Sequence, residues 1–223
     1  MNKAQLKKKI EEILIILNRE YPEAKTHLDF NSPFELLVST VLAAQCTDVR
    51  INLVMPPLYK KIYKGPKEIL KDGIDNFTNN IKSITFFNSK AKSIMGLCEM
   101  LVKDFGGKIP GSMEELTKLP GVGRKSASVV LGNCFGQKDV IIVDTHLKRV
   151  SDRLGLIENE NPEKIEMELK EIVPSEQQYN YSLKIGEHGR AICDAKKPKC
   201  EECFLNHICP SKNLLTKQNK KAK

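Results

Sequence analysis

Nowhere does the 223-residue sequence hold the ~20 consecutive apolar positions that a bilayer-spanning helix requires. The first apolar run, Ile13 to Leu17, is far too short for the core of a secretory signal, and no small-residue cleavage site follows it. Strands are scarce as well. Val140 to Val143 has the composition of a buried strand, but no second convincing strand exists to pair with it, so it is expected to be an extended lead into a helix. There is no internal repeat, and no low-complexity segment ahead of a basic tail. These absences argue against membrane-embedded, exported, sheet and repeat architectures and leave an all-α protein of the cytoplasm or nucleoid. In that reducing compartment seven cysteines are ligands or free thiols rather than disulfide partners.

What is present points to a polyanion. Lys plus Arg outnumber Asp plus Glu by 36 to 28, which gives a net charge of +8 and a pI near 9.0. Nucleic acid is the first partner such a balance suggests, although Lys217, Lys220, Lys221 and Lys223 place part of the excess in the tail. With 40% hydrophobic residues the chain can build one large domain or two small ones.

The helical pattern starts with Leu6, Ile10, Ile13, Leu14 and Leu17, an amphipathic face that must dock on something and that ends at Tyr21-Pro22. Ser32-Pro33-Phe34-Glu35 combines an N-cap serine, a proline at the first helical position and a glutamate placed to close a capping box. The run from Phe34 to Ala44 is apolar on nearly every side, as a central helix would be, and leaves Gln45 at its end. Thr47 or Asp48 can cap the next helix, which Pro56-Pro57 must kink or break. Ile69 to Ile84 reads as two short helical pieces about Asp72-Gly73, Ile84 to Asn88 as a turn bearing Phe86 and Phe87, and Ser89 to Phe105 as a helix stopped by Gly106-Gly107. Helices are also expected over Thr145 to Leu154, Pro162 to Val173 and Tyr179 to His188.

Between two helical runs lies Leu119-Pro120-Gly121-Val122-Gly123-Arg124-Lys125, introduced by the S-x-x-E form of Ser112 to Glu115. Gly121 and Gly123 allow a tight turn with positive φ and leave no Cβ before the backbone N–H groups, which can then hold a phosphate. Lys125 falls on the first turn of the second helix, where the dipole disfavours an ammonium ion. It is either a phosphate contact or an amine positioned as a nucleophile.

The carboxyl-terminal part carries Cys193, Cys200, Cys203 and Cys209 in a C-x6-C-x2-C-x5-C pattern within 17 residues. Four thiolates so close together imply a metal centre, tetrahedral zinc or an iron–sulfur cluster, and spacing does not choose between them. Cys46, Cys98 and Cys134 are scattered and suit buried apolar positions.

Together the hairpin, the Val143-Asp144-Thr145-His146 segment 19 residues past Lys125, and the cysteine pattern resemble the endonuclease III family of the helix-hairpin-helix superfamily. Ser32 to Leu37 and Ala44 to Asp48 resemble the family's second helix and its end.

The resemblance implies two helical domains with a DNA-binding cleft between them. Residues 27–138 would be a six-helix bundle with the hairpin, residues 1–26 and 139–213 an iron–sulfur domain, and 214–223 a disordered basic tail. It further implies a monomer that excises oxidised or ring-saturated pyrimidines from double-stranded DNA and cuts at abasic sites. Lys125 would be the nucleophile and Asp144 the essential carboxylate, whose other reading is a helix N-cap. Cys193, Cys200, Cys203 and Cys209 would hold a [4Fe–4S] cluster.

For DNA contacts, the family carries the hairpin residues Gly121, Val122 and Gly123 onto phosphate. It carries gap-filling roles onto Gln45 and onto Phe86, where many relatives have leucine. Arg190, Lys196 and Lys197, with Lys199, would form a phosphate-binding edge, the other reading being a solvated charge run. Two other readings compete with this one. A monofunctional adenine or mismatch glycosylase usually lacks a lysine at Lys125, and the adenine-specific kind has a further domain where this chain has 14 residues after Cys209. A non-catalytic DNA clamp has no need of Asp144.

Overall fold

The computed structural model describes residues 1–213; the basic tail expected at 214–223 lies outside them. Among the described residues every regular element is a helix. The chain divides into two compact units, one of Thr26–Gly136 and one of Met1–Lys25 with Gln137 onward.

In the Thr26–Gly136 unit the centre is α2 (Pro33–Leu42), buried from Phe34 through Leu42 but for Glu35. Its start follows the sequence signal with one change. Ser32 Oγ accepts from Glu35 N–H at 3.2 Å, but the Glu35 carboxylate turns back to Asn31 N–H at 2.7 Å, one residue earlier than a capping box would place it. Against α2 pack α3 (Asp48–Lys61), capped by Thr47, then α5 (Phe87–Asp104) and α7 (Arg124–Cys134). The buried hydroxyls of Ser39 and Tyr59 satisfy each other at 2.9 Å, which joins α2 to α3.

Pro56 and Pro57, expected to kink or break the helix, do not break it and lie inside α3. Each removes one backbone donor. The carbonyls left behind belong to half-buried Asn52 and exposed Leu53, where water can take the bonds, while Ile51, Met55 and Tyr59 anchor the inner face. In α4 (Pro66–Asn80) Gly73 takes φ 82° and splits the helix into the two pieces its sequence suggested. The short α6 (Met113–Leu116), capped by Ser112, leads into the glycines.

In the other unit α1 (Lys3–Glu20) buries Ile10, Ile13, Leu14 and Leu17 against α9 (Pro162–Ile172) and α10 (Gln178–Ala191). The apolar segment Val140 to Val143 belongs to neither a helix nor a sheet. Ile141 joins this core, and Ile142 N–H donates to Ser182 Oγ of α10 at 3.0 Å, so a helix side chain supplies a bond that a neighbouring strand would have given. It delivers the chain to α8 (Thr145–Arg153), which crosses α10 at Gly189. A Cβ there would stand 2.9 Å from His146 Cβ, so the close approach of the two helices requires glycine.

Candidate functional site

The hairpin is built on packing. Gly121 takes φ 78°, and a Cβ on it would lie 3.0 Å from Ser93 Cβ of α5 and 3.2 Å from Val41 Cγ1 of α2. Val122 is buried beside it, with its N–H bonded to Leu119 O at 3.1 Å. Gly123 behaves differently from the expected second left-handed glycine. It is extended, φ −94° and ψ 173°, and stands as the N-cap of α7 with no side-chain cap bond. Apart from its chain neighbours, nothing lies within 4 Å of where its Cβ would be, so the space beside the start of α7 is open. Lys125, the second residue of that helix, is exposed.

In the same unit two turns carry the only non-glycine residues with positive φ among those described, Gln45 at 53° and Phe86 at 57°. Each conformation costs roughly 1–2 kcal/mol for an L-residue. Gln45 follows the end of α2 and is exposed; Phe86 is the residue before α5 and is 60% exposed, while Phe87 is half-buried. Strain of this kind persists where the surrounding structure enforces it, and here it puts an amide and a ring at the surface.

Asp144 belongs to the other unit. Its Oδ1 accepts from Leu147 N–H at 2.7 Å, so the N-cap reading is satisfied. A carboxylate has lone pairs for more than one donor, and the cap uses one oxygen. His146 is pushed below its usual pKa, first by burial and then by Arg190 and Arg149, with the Asp144 carboxylate acting the other way.

Further along α8, Arg149 and Arg153 hold the cysteine loop, which the sequence reading did not foresee. Arg149 donates to Gly189 O at 2.8 Å and Cys193 O at 3.1 Å. Arg153 donates to Asp194 O at 2.7 Å, Ala195 O at 2.9 Å and Cys193 Sγ at 3.3 Å. The only trace in the sequence is a pair of arginines at i and i+4 on the helix that begins with Asp144. Asp194 Oδ1 accepts from the N–H groups of Lys196 and Lys197 at 2.8 and 2.9 Å, which turns the chain so that both lysines are exposed. Those two bonds hold the Asp194 carboxyl below its usual pKa. Arg190 is exposed and pairs with Glu187 at 3.3 Å.

Cys193, Cys200, Cys203 and Cys209 line one recess, with Ile192 and Pro198 among its walls. Among the described residues no three His, Cys, Asp or Glu side chains are grouped tightly enough for a single ion. Cysteines arranged around a recess in this way, rather than converging on one point, suit a polynuclear cluster better than one zinc with Zn–S bonds of about 2.3 Å. Burial pushes the Cys203 thiol up to about 11. His188, also missed, is buried; its Nε2 lies 3.5 Å from Cys203 Sγ and its Nδ1 3.1 Å from Tyr21 OH. Burial lowers its pKa to about 4, so it faces the sulfur as a neutral ring.

Comparison with known proteins agrees with this geometry. Residues 38–175 match the HhH-GPD superfamily base excision DNA repair proteins, and residues 193–209 match the iron–sulfur binding domain of endonuclease III. The chain therefore carries a [4Fe–4S] cluster domain, and the matched segment is the one that holds the four cysteines. Endonuclease III of Synechocystis sp. is 45% identical over 93% of this chain and 94% of its own. That of Escherichia coli K12 is 39% identical over 95% and 98%. A trapped endonuclease III–DNA covalent intermediate superimposes with a TM-score of 0.89 at 36% identity, over 97% of this chain and 99% of that one. Hairpin, capped carboxylate and cysteine recess thus sit in a chain that belongs to the endonuclease III family of base excision DNA repair enzymes.

Proposed function

We propose that the protein releases oxidised or ring-saturated pyrimidines from double-stranded DNA in the cytoplasm, at the nucleoid, and then cuts the strand 3′ to the abasic site. The observation that carries this is Lys125, an exposed amine on the first turn of α7, directly behind the hairpin glycine Gly123 that caps the helix and has open space at its Cβ position. The solved relative caught as a covalent intermediate with DNA supports the same reading.

The hairpin N–H groups from Gly121 to Gly123 hold a backbone phosphate, and Arg190, Lys196 and Lys197 hold others. The target nucleotide leaves the stack because its C1′ is shielded inside the duplex, and Gln45 and Phe86 fill the space it vacates. The Lys125 amine attacks C1′ while the C1′–N bond breaks and its electron pair departs with the base, which takes up a proton. The sugar ring opens to give a Schiff base on Lys125. Loss of a C2′ proton then expels the 3′ phosphate, and water releases the amine. Asp144 accepts the proton that Lys125 must lose, or offsets positive charge on the sugar, while its cap to Leu147 fixes the carboxylate. When bound, the cluster supplies the cationic iron that four clustered thiolates require; the residues of the loop do the DNA binding.

Borohydride reduction in the presence of DNA with an abasic site tests the scheme. The wild-type chain forms a covalent adduct that Lys125→Gln loses; absence of the adduct in wild type overturns the reading. Asp144→Asn keeps a good N-cap, so melting and DNA affinity hold while base release slows by roughly 10²-fold or more. Parallel loss of binding and base release would make Asp144 a structural residue only.

A further inference from the structure

Lys90 is a buried lysine that the proposed chemistry does not use. It lies on α5 with 7% of its surface exposed, and among the described residues it forms no ion pair. Its Nζ donates to Leu42 O at 2.8 Å. Leu42 ends α2, and its carbonyl has lost its ordinary partner: Cys46 N–H, four residues on, turns to Ala43 O at 3.0 Å because Gln45 has left the helical region. An ammonium ion at the negative end of α2 therefore satisfies the carbonyl that the Gln45 turn strands. Burial lowers the pKa of Lys90, with the nearby Cys46 thiol acting in the opposite direction. A charge placed there costs stability, so its retention needs a reason beyond packing.

The main chain of the same residue holds the second strained turn. Lys90 N–H donates to Phe86 O at 3.1 Å, and Ser89 Oγ adds a bond to that carbonyl at 3.0 Å; Phe86 has no side-chain cap. One residue thus bonds through its backbone to Phe86 and through its side chain to the helix end that leads into Gln45. Those two residues are the only non-glycine positions with positive φ among those described. The glycine turn at Gly121 packs on Val41 and Ser93 of the same two helices.

We propose that Lys90 is a positioning residue for DNA interrogation: its buried ammonium fixes the Gln45 turn relative to the Phe86 turn, so that both enter the duplex as one rigid wedge. This rests on the gap-filling roles assigned above to Gln45 and Phe86. Without the tie, each turn relaxes separately, and the energy of pushing into the stack goes into moving the turns rather than unstacking the base.

The test compares two substrates. Lys90→Met removes the donor but keeps the length and apolar stem of the side chain, so the chain folds with a melting temperature near that of wild type. Its excision of a damaged pyrimidine from duplex DNA, and the fluorescence rise of 2-aminopurine beside the lesion, should slow by about 10²-fold. Cutting at an abasic site in single-stranded DNA, which needs no gap filled, should change by less than about twofold. Lys90→Arg, which keeps a charged donor, should restore much of the duplex rate. Wild-type duplex activity in Lys90→Met, or equal losses on both substrates, overturns the proposal. Gln45→Ala and Phe86→Ala run alongside separate the two possible failures. If they lose duplex activity and Lys90→Met does not, the coupling is wrong; if they too behave as wild type, the wedge itself is wrong. In the Lys90→Met background their separate effects should no longer reinforce each other.

Discussion

The hairpin loop and the cysteine loop both present backbone and cations at a surface, but they are held in place by opposite means. Around Gly121 the restraint is contact: the loop fits closely against α2 and α5, where Val41 and Ser93 leave no room for a Cβ. Around Cys193 to Cys200 the restraint is polar. Arg149 and Arg153 reach out from α8 to main-chain oxygens, Asp194 gathers two N–H groups, and Lys199 N–H closes the loop on Ile192 O at 2.9 Å. A loop held by packing needs nothing beyond the fold. A loop held by hydrogen bonds around four thiols also needs whatever keeps the thiols together.

Removing one ligand should break this comparison most visibly. Cys203→Ser in the full chain should abolish the iron–sulfur absorbance at about 400 nm and strip hydrogen-exchange protection from residues 192–209. Amides of α2 and α7 should stay as slow as in wild type. Equal loss of protection in both places would mean that the hairpin depends on the cluster after all.

Gly121→Ala strikes at the packed loop instead. The new Cβ meets Ser93 at 3.0 Å and Val41 at 3.2 Å, in a backbone with φ 78°. Strain and overpacking together should cost about 2–3 kcal/mol, read as a fall in melting temperature of roughly 5–10 °C. The cluster absorbance should be untouched. A melting temperature within a degree of wild type would show that the loop yields easily and is not fixed by contact.

How well each region could be read in the sequence follows the same division. Local chemistry was legible: the caps at Ser32, Thr47, Ser112 and Asp144, and the break at Gly73, form within a few residues and appear as expected. So was the cysteine set, whose spacing in the chain brings it to one recess. Partners far apart in sequence were not legible. Arg149 and Arg153 act on residues about 40 positions away, Tyr21 on His188 at a separation of 167, and Lys90 on Leu42 at 48. No periodicity or motif marks a side chain that stretches across to another helix. The prolines of α3 misled for the related reason that the cost of a missing donor depends on whether the orphaned carbonyl sees water, which only the fold decides.

The polar loop also predicts a change without large loss of stability. Arg153→Met should leave the fold and the cluster in place but free Asp194 O and Ala195 O from their donor. Lys196 and Lys197 then sample more positions, so affinity for duplex DNA should fall by about tenfold and the salt dependence should become shallower. Unchanged affinity with the same slope would separate loop order from DNA binding.

The finest test lies within the hairpin, where Gly121 and Gly123 look equivalent in sequence but do different things. Gly123 has φ −94° and an empty volume where a Cβ would go, so Gly123→Ala meets no clash. Alanine is the poorer N-cap but restricts the unfolded chain more, and the two effects roughly cancel, leaving stability within about 0.5 kcal/mol. If a phosphate approaches the N–H groups of α7 through that space, the methyl group stands in its way. The loss of one charge-assisted hydrogen bond then weakens DNA binding by about tenfold at constant melting temperature. Wild-type binding by Gly123→Ala would place the phosphate elsewhere, and the glycine would be a capping convenience only. Gly121→Ala and Gly123→Ala should therefore fail on different axes, one in stability and one in affinity, although they sit two residues apart.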